Sequence, residues 1–463
     1  MFFAGAMLFL VFTIILGTTR PVKIGRSDDY SVAGRAASAS SVSGIIMGAL
    51  VGGASTVGTV QMAYEYGFSA WWFTLGAGIG CLILGIFFAP SLRESGLATI
   101  PEFLKRNYGP WAGSISMFAT SIGTFISVVA QFLAGIALFM SISPVNAVEA
   151  VILVSILVIA FIYFGGLKSY SRIGKAKILM LYTVLGISVI TIIAKGYGPI
   201  KILTAVPQNP FLSLWGMGFS RNMNDLVSMV VGVFCTQIYI QGIFAASDAC
   251  TARKGVITAA VLMPPLGVMG VYIGLYLRAE GVVIDPAQAL PYFLTTNFGP
   301  FTAGILWCVV LITVIGTAAG LCLGIATNLI RDVFLDFPSS KKLENDEARL
   351  ILFSRFSVAA VVLLSALAGL AADKSLILQW SYLSMGLRGV GTFFPLVFAV
   401  IFPGRLPRNW AIGAMIAGIA VLVIWPWIGS EISPLFAGLG VSALLVACGV
   451  LYSLIPVMRK PVD

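Results

Sequence analysis

Three positive side chains stand where long apolar runs leave little else polar: Lys175 and Lys177 at the threshold of "KAKILMLYTVLG", and Arg388 inside "WSYLSMGLRGVGTFFPLVF". An ionisable group at the depth of Arg388 is costly unless it is paired or faces a cavity. Its planar fork suits a carboxylate, held by two parallel hydrogen bonds. The other reading has the helix locally unwound around Gly386 and Gly389, with the arginine capping carbonyls of a neighbour. The lysines also carry two readings. They are either charges at a membrane boundary, their stems snorkelling to water, or a tethered cation whose three N–H donors meet carbonyls where a metal ion would otherwise bind. Lys177 lies deeper than Lys175. Gln131 and Gln237 are uncharged polar groups that either orient a solute or join helices by hydrogen bonds. There is no histidine, no Gly-rich phosphate loop of Walker type and no carboxylate pair inside the runs, so general acid–base chemistry has no evident carrier. The chain is not expected to be an enzyme.

The elements that position these residues follow from composition. The 463 residues are 59% hydrophobic and 10% charged, with a mean hydropathy of +1.00. That is far more apolar surface than one soluble core buries, and it defines an integral membrane protein. At about 20 apolar residues per crossing, the chain is all-α with about thirteen transmembrane helices. They are expected near 2–17, 37–65, 70–92, 112–141, 148–165, 175–195, 225–247, 255–277, 301–333, 350–372, 376–402, 408–428 and 436–456. The first run has no positive residue before it and no small-x-small cleavage site after it, so it is read as a retained helix rather than a signal peptide.

Of the 28 Lys and Arg residues, 22 fall in alternate loops on one side. The positive-inside rule then puts the C-terminus in the cytoplasm and the N-terminus outside, in a bacterial or archaeal inner membrane. The net charge of +10 is therefore a topology signal, and nucleic acid is not an expected partner. The six cysteines are scattered without metal-ligand spacing and read as small packing residues. Glu65 and Trp71-Trp72 are placed on an outer rim, the tryptophans as interfacial anchors or gates.

Two spans look unable to run straight. One carries Gly52-Gly53 near its middle, followed by the hydroxyls of Ser55, Thr56 and Thr59; the other carries Gly232, Thr236, Gln237 and Gln241 at comparable depth. Broken helices at matching places in inverted repeats point to a transporter's midplane site. Small residues can instead serve close helix packing. The organisation expected is a single transporter domain over 1–463: an extra N-terminal helix and loop (1–36), a first five-helix repeat (37–195), a second, inverted repeat (225–402) and two further helices (403–463).

Four stretches now matter together: "TIPEFLKRNYG", "YFGGLKSYSRIGKAK", "QIYIQGIFAASDACTARKG" and "IATNLIRDVF". In order and spacing they resemble the sodium:solute symporters, which share the LeuT-type 5+5 inverted-repeat fold; the resemblance covers about 27–456. It implies secondary active transport by alternating access, with a small organic solute and the lipid bilayer as partners and no obligatory protein partner. The solute would be held by Ser55, Thr56, Thr59, Gln131, Gln237 and Arg388, the last favouring a carboxylate. No cofactor is implied beyond a coupling ion, Na+ or H+. The family's sodium site would fall on backbone carbonyls of Ala49 and Gly52 and on Thr313, Gly316 and Thr317. Here the chain departs from the family, because only Thr317 keeps a hydroxyl where two adjacent ones are common. Where the family often reads Thr-Asp with Gln three residues on, this chain reads Ile173-Gly174 with Lys177. A hard cation needs five or six oxygens in place of its hydration shell, so the site looks degenerate. Lys177, or failing it Lys175, is the candidate substitute for the ion, which would make transport sodium-independent or proton-coupled. Conventional sodium-coupled symport is the alternative, followed by a solute sensor without transport, although no output domain follows "MRKPVD". A channel is a third alternative, which saturable exchange of labelled solute would separate from a carrier.

Overall fold

The computed structural model describes residues 1–18, 33–142, 145–163, 167–329, 347–372 and 375–454, with backbone alone at 12–18, 33, 162–163, 167–173, 347–351 and 354. The side chains of Lys168 and Arg172, the loop charges at 20–26 and 331–342, Lys374 and the last nine residues lie outside that description.

In chain order the helices are α1 (Phe2–Thr18), α2 (Ala39–Leu50), α3 (Thr59–Tyr66), α4 (Trp72–Ile83), α5 (Ala89–Glu94), α6 (Ile100–Tyr108), α7 (Pro110–Met140), α8 (Ala147–Tyr163), α9 (Leu167–Ala194), α10 (Pro199–Ala205), α11 (Phe219–Phe234), α12 (Gln237–Phe244), α13 (Ala249–Ala279), α14 (Ala289–Asn297), α15 (Pro300–Leu329), α16 (Glu347–Ala371), α17 (Ile377–Ile401), α18 (Arg408–Ile424) and α19 (Pro434–Leu454). Among the described residues, eight stretches of helix are long and apolar enough to cross a membrane, nine if the bent pair α11 and α12 is one span. One of the eight, 54–94, is too long for a single crossing at 1.5 Å per residue. Gly67 divides it, with φ 63°, and α3 and α4 both pack on α13. Shorter apolar helices at Phe2–Val11, Ala39–Leu50, Ala147–Phe161 and Arg355–Ala371 complete a bundle of the LeuT type, with two inverted repeats.

The central member is α15. It is apolar all round, and its spanning stretch is buried in protein throughout, whereas equally apolar spans at the rim of the bundle leave most of their surface to lipid. Against it, α1 crosses closely, since a Cβ on Gly304 would lie 2.1 Å from the Phe2 carbonyl oxygen. Small residues at such crossings replace the hydrophobic drive that lipid removes.

Both repeats open on a broken span. In the first, α2 stops at Leu50, and a π-helical turn at Ala54–Gly58 leads into α3. In the second, α11 ends at Phe234 and α12 starts at Gln237, bent by 40°. Several expected boundaries move. The helix expected from 175 begins at Leu167, so Lys175 and Lys177 stand two and three turns inside it rather than at its threshold. Loops expected at 93–110, 196–224 and 278–300 contain α6, α10 and α14. No unwinding occurs at Gly386 or Gly389, because α17 runs unbroken through both.

On the side of the basic loops, α2 and α9 touch backbone to backbone. A Cβ on Gly174 would fall 2.1 Å from the Gly44 carbonyl oxygen. Gly174→Leu is therefore expected to pry α2 from α9 and to destabilise the protein by about 1–3 kcal/mol, the usual cost of overpacking. Thermal unfolding of the detergent-purified variant measures it, and an unchanged melting temperature would mean the two helices do not close as described. On the opposite side, the Ile377 N–H donates to Gln61 Oε1 at 3.1 Å. The broken first span is thus gripped at both ends.

Candidate functional site

The site grows out of the break at Val51–Gly53. In a continuous helix the Gly52 and Gly53 N–H groups would bond the carbonyls of Gly48 and Ala49. Instead Gly52 N–H donates to Ser55 Oγ at 2.9 Å, and Gly53 N–H donates to Gln131 Oε1 of α7 at 2.8 Å. The Gly48 carbonyl, relieved of its helical donor, takes the Lys177 ammonium at 2.7 Å. The same ammonium donates to Thr317 Oγ1. That hydroxyl lies 3.1 Å from the Gly48 oxygen and 3.2 Å from the Val51 oxygen. Lys177 is 2% exposed, and its charge sits between a freed carbonyl and the hydroxyl of the central helix.

This arrangement differs from the expected ligand set in three places. The carbonyls that meet Thr317 are those of Gly48 and Val51, one residue before Ala49 and Gly52. Thr313 spends its hydroxyl on Val310 of its own helix, at 2.7 Å. Gly316 offers only space: a Cβ there would lie 3.8 Å from Lys177 Nζ. Lys175 is elsewhere, half-buried, donating to Ser41 Oγ at 3.0 Å near the start of α2.

The second charge is Arg388, fully buried. Its Nη1 donates to Thr236 Oγ1 at 2.6 Å, its Nη2 to Ser127 Oγ at 2.6 Å and Ser384 Oγ at 2.5 Å, and its Nε to the Ser384 carbonyl at 3.2 Å. Thr236 stands at the break between α11 and α12, so the guanidinium points at that break. Room for its stem comes from Gly123, where a Cβ would lie 2.4 Å from Arg388 Cγ. Among the described residues no carboxylate pairs with Arg388 or Lys177. Hydroxyls satisfy the donors, but neutral groups leave a buried charge uncompensated.

Other expected solute ligands are otherwise engaged. Ser55 and Thr56 donate to the Gly52 carbonyl at 3.1 and 2.7 Å, and Thr59 reaches the Ala54 carbonyl at 3.2 Å. These hydroxyls stitch the broken span to itself. Gln237 is remote from the arginine's hydrogen bonds: its Oε1 accepts from Ile100 N–H at 3.0 Å and its Nε2 donates to the Ala98 carbonyl at 3.2 Å, fixing the start of α6. The Trp71 and Trp72 indoles donate to the carbonyls of Pro264 and Leu214. Sequence reasoning missed Ser127 and Ser384, the arginine's nearest partners. The signal was available, because Ser127 and Gln131 are one turn apart on α7 and Ser384 and Arg388 one turn apart on α17.

Two broken spans whose breaks meet a buried lysine of α9 and a buried arginine of α17, within a bundle of apolar helices, are the architecture of a secondary transporter. The chain matches the sodium:solute symporter family over residues 30–419 and belongs to that family. Among its relatives, a sodium/proline symporter of Staphylococcus aureus is 24% identical, over 91% of this chain and 85% of that protein. The uncharacterized symporter YwcA of Bacillus subtilis is 23% identical, over 82% and 77%. In fold, the chain is similar to a Na+-coupled sialic acid symporter in a substrate-bound outward-open state, with TM-score 0.82, 17% identity and coverage of 99% of this chain and 98% of that one. It is also similar to a nucleobase-cation-symport-1 family transporter in a closed conformation, with TM-score 0.57, 16% identity and coverage of 93% and 96%. The protein is a transporter of the cell membrane and not an enzyme.

Proposed function

We propose that the protein carries a small carboxylate-bearing solute by alternating access, with Lys177 standing in for the coupling cation, so that sodium is dispensable and a proton gradient can drive the cycle. The observation that carries this reading is the ammonium of Lys177 seated on the Gly48 carbonyl and Thr317. A sodium ion would have to displace it from the same oxygens, and a hard cation finds too few others there. The uncompensated charge of Arg388 supports the carboxylate, since an anionic solute would supply the missing counter-charge. On the same reading the basic loops face the cytoplasm.

Obligatory sodium coupling is the second reading, favoured by the sodium/proline and Na+-coupled sialic acid symporters among the similar proteins. Uptake into proteoliposomes separates the two. A thermal-shift screen of metabolites first finds the solute, because a ligand that binds only the folded state raises the melting temperature. Uptake of that solute is then expected to persist when choline replaces sodium on both faces and to respond to an imposed pH gradient. An obligatory sodium gradient would return the protein to conventional symport.

A further inference from the structure

A cavity of about 240 Å³ opens on the side opposite the basic loops, between α11, α17 and the start of α19. Asp225 lines it and is 6% exposed. Its Oδ2 is fully buried and has no hydrogen-bond partner; the Tyr382 hydroxyl, lining the same cavity and 3% exposed, has none either. Such atoms are rare because each forfeits its hydration without compensation. The remaining wall is largely apolar, with Leu383, Leu387, Leu422 and Leu435.

We propose that this cavity is a binding site for a small organic ammonium, its N–H groups donating to Asp225 Oδ2 and Tyr382 Oη and its hydrocarbon part lying against the four leucines. The volume is several times a water's share of about 30 Å³, which suits an organic molecule better than a bare ion. A hard cation would want five or six oxygens, and among the lining residues the buried oxygens without a hydrogen-bond partner are two, Asp225 Oδ2 and Tyr382 Oη. Arg221 also lines the cavity but is exposed at its mouth. Water screens that charge, whereas the carboxylate acts from within a low-dielectric wall. The site is independent of the Lys177 and Arg388 constellation.

The test is calorimetric titration of the full-length protein, in phosphatidylcholine nanodiscs, with n-butylammonium chloride. Saturable binding is expected, with n-butanol and butyrate failing to compete. Asp225→Asn, which keeps the shape, should weaken binding at least about tenfold, or 1.4 kcal/mol. Ser228→Met, which fills the cavity and leaves the carboxylate, should abolish it. Melting temperatures of the variants show that they fold. Nanodiscs containing phosphatidylethanolamine then separate two sources of the same chemistry: weaker apparent affinity there assigns the ligand to a lipid headgroup, and equal affinity assigns it to a free amine. No saturable binding to the wild type, equal affinity in Asp225→Asn, or displacement by sodium chloride at concentrations equal to those of n-butylammonium would each overturn the proposal.

Discussion

Lys177→Gln is expected to cut solute uptake at least about a hundredfold, or 2.7 kcal/mol in the transport barrier, while leaving the protein folded. Glutamine keeps hydrogen-bond donors but loses the charge, so it separates the cation's role from its hydrogen bonds. The folding cost should be small. Thr317 Oγ1 already lies within 3.1–3.2 Å of the Gly48 and Val51 oxygens, and one hydroxyl proton can satisfy one of them. A carbonyl left over costs about 1–3 kcal/mol, readable as a lower melting temperature. Uptake at the wild-type rate in a folded Lys177→Gln protein would reduce the ammonium to a structural pin.

Arg388→Lys is expected to weaken solute binding at least about tenfold, or 1.4 kcal/mol, although the charge is kept. The guanidinium reaches three elements at once, through Ser127 on α7, Ser384 on α17 and Thr236 at the break. An ammonium on a flexible stem cannot hold that fork. Arg388→Ala should abolish binding yet permit folding. The stranded hydroxyls have partners among themselves, since Ser127 and Ser384 lie 2.6 Å apart and Thr236 already donates to the Gly232 carbonyl at 2.6 Å. Titration of the purified variants with the solute decides the matter. Unchanged affinity in Arg388→Ala would remove the carboxylate reading.

Much of this architecture was legible because the bilayer imposes it. Apolar run length, Gly52-Gly53 and the depth of Arg388 each report a constraint that one residue and its neighbours carry. The carbonyls at the break were misread by one residue for a different reason. Which oxygens become free depends on where the competing donors bond, and Ser55 and Gln131 capture the N–H groups of Gly52 and Gly53. That capture involves a residue 78 positions away in sequence, which no local pattern encodes. Of the two readings given to Gln237 the structure shows the interhelical one: its depth resembles that of Thr236, but its helix turns it toward Ala98 and Ile100. The start of α9 was missed because Lys175 and Lys177 suggested a boundary, whereas the helix already begins at Leu167 and continues through them.

A cation that is part of the chain also changes the electrical account of the cycle. A dissociable ion crosses the membrane once per turnover and can be spent down its own gradient; on the proposed reading Lys177 would travel out and back with the protein and, unless it shed a proton, would deliver no charge to either side. An anionic solute moved inward without a co-ion would then work against a negative-inside potential, at about 2.3 kcal/mol per elementary charge per 100 mV. Such a carrier accumulates its solute only if Lys177 releases a proton on the inner side, or if another anion leaves in exchange.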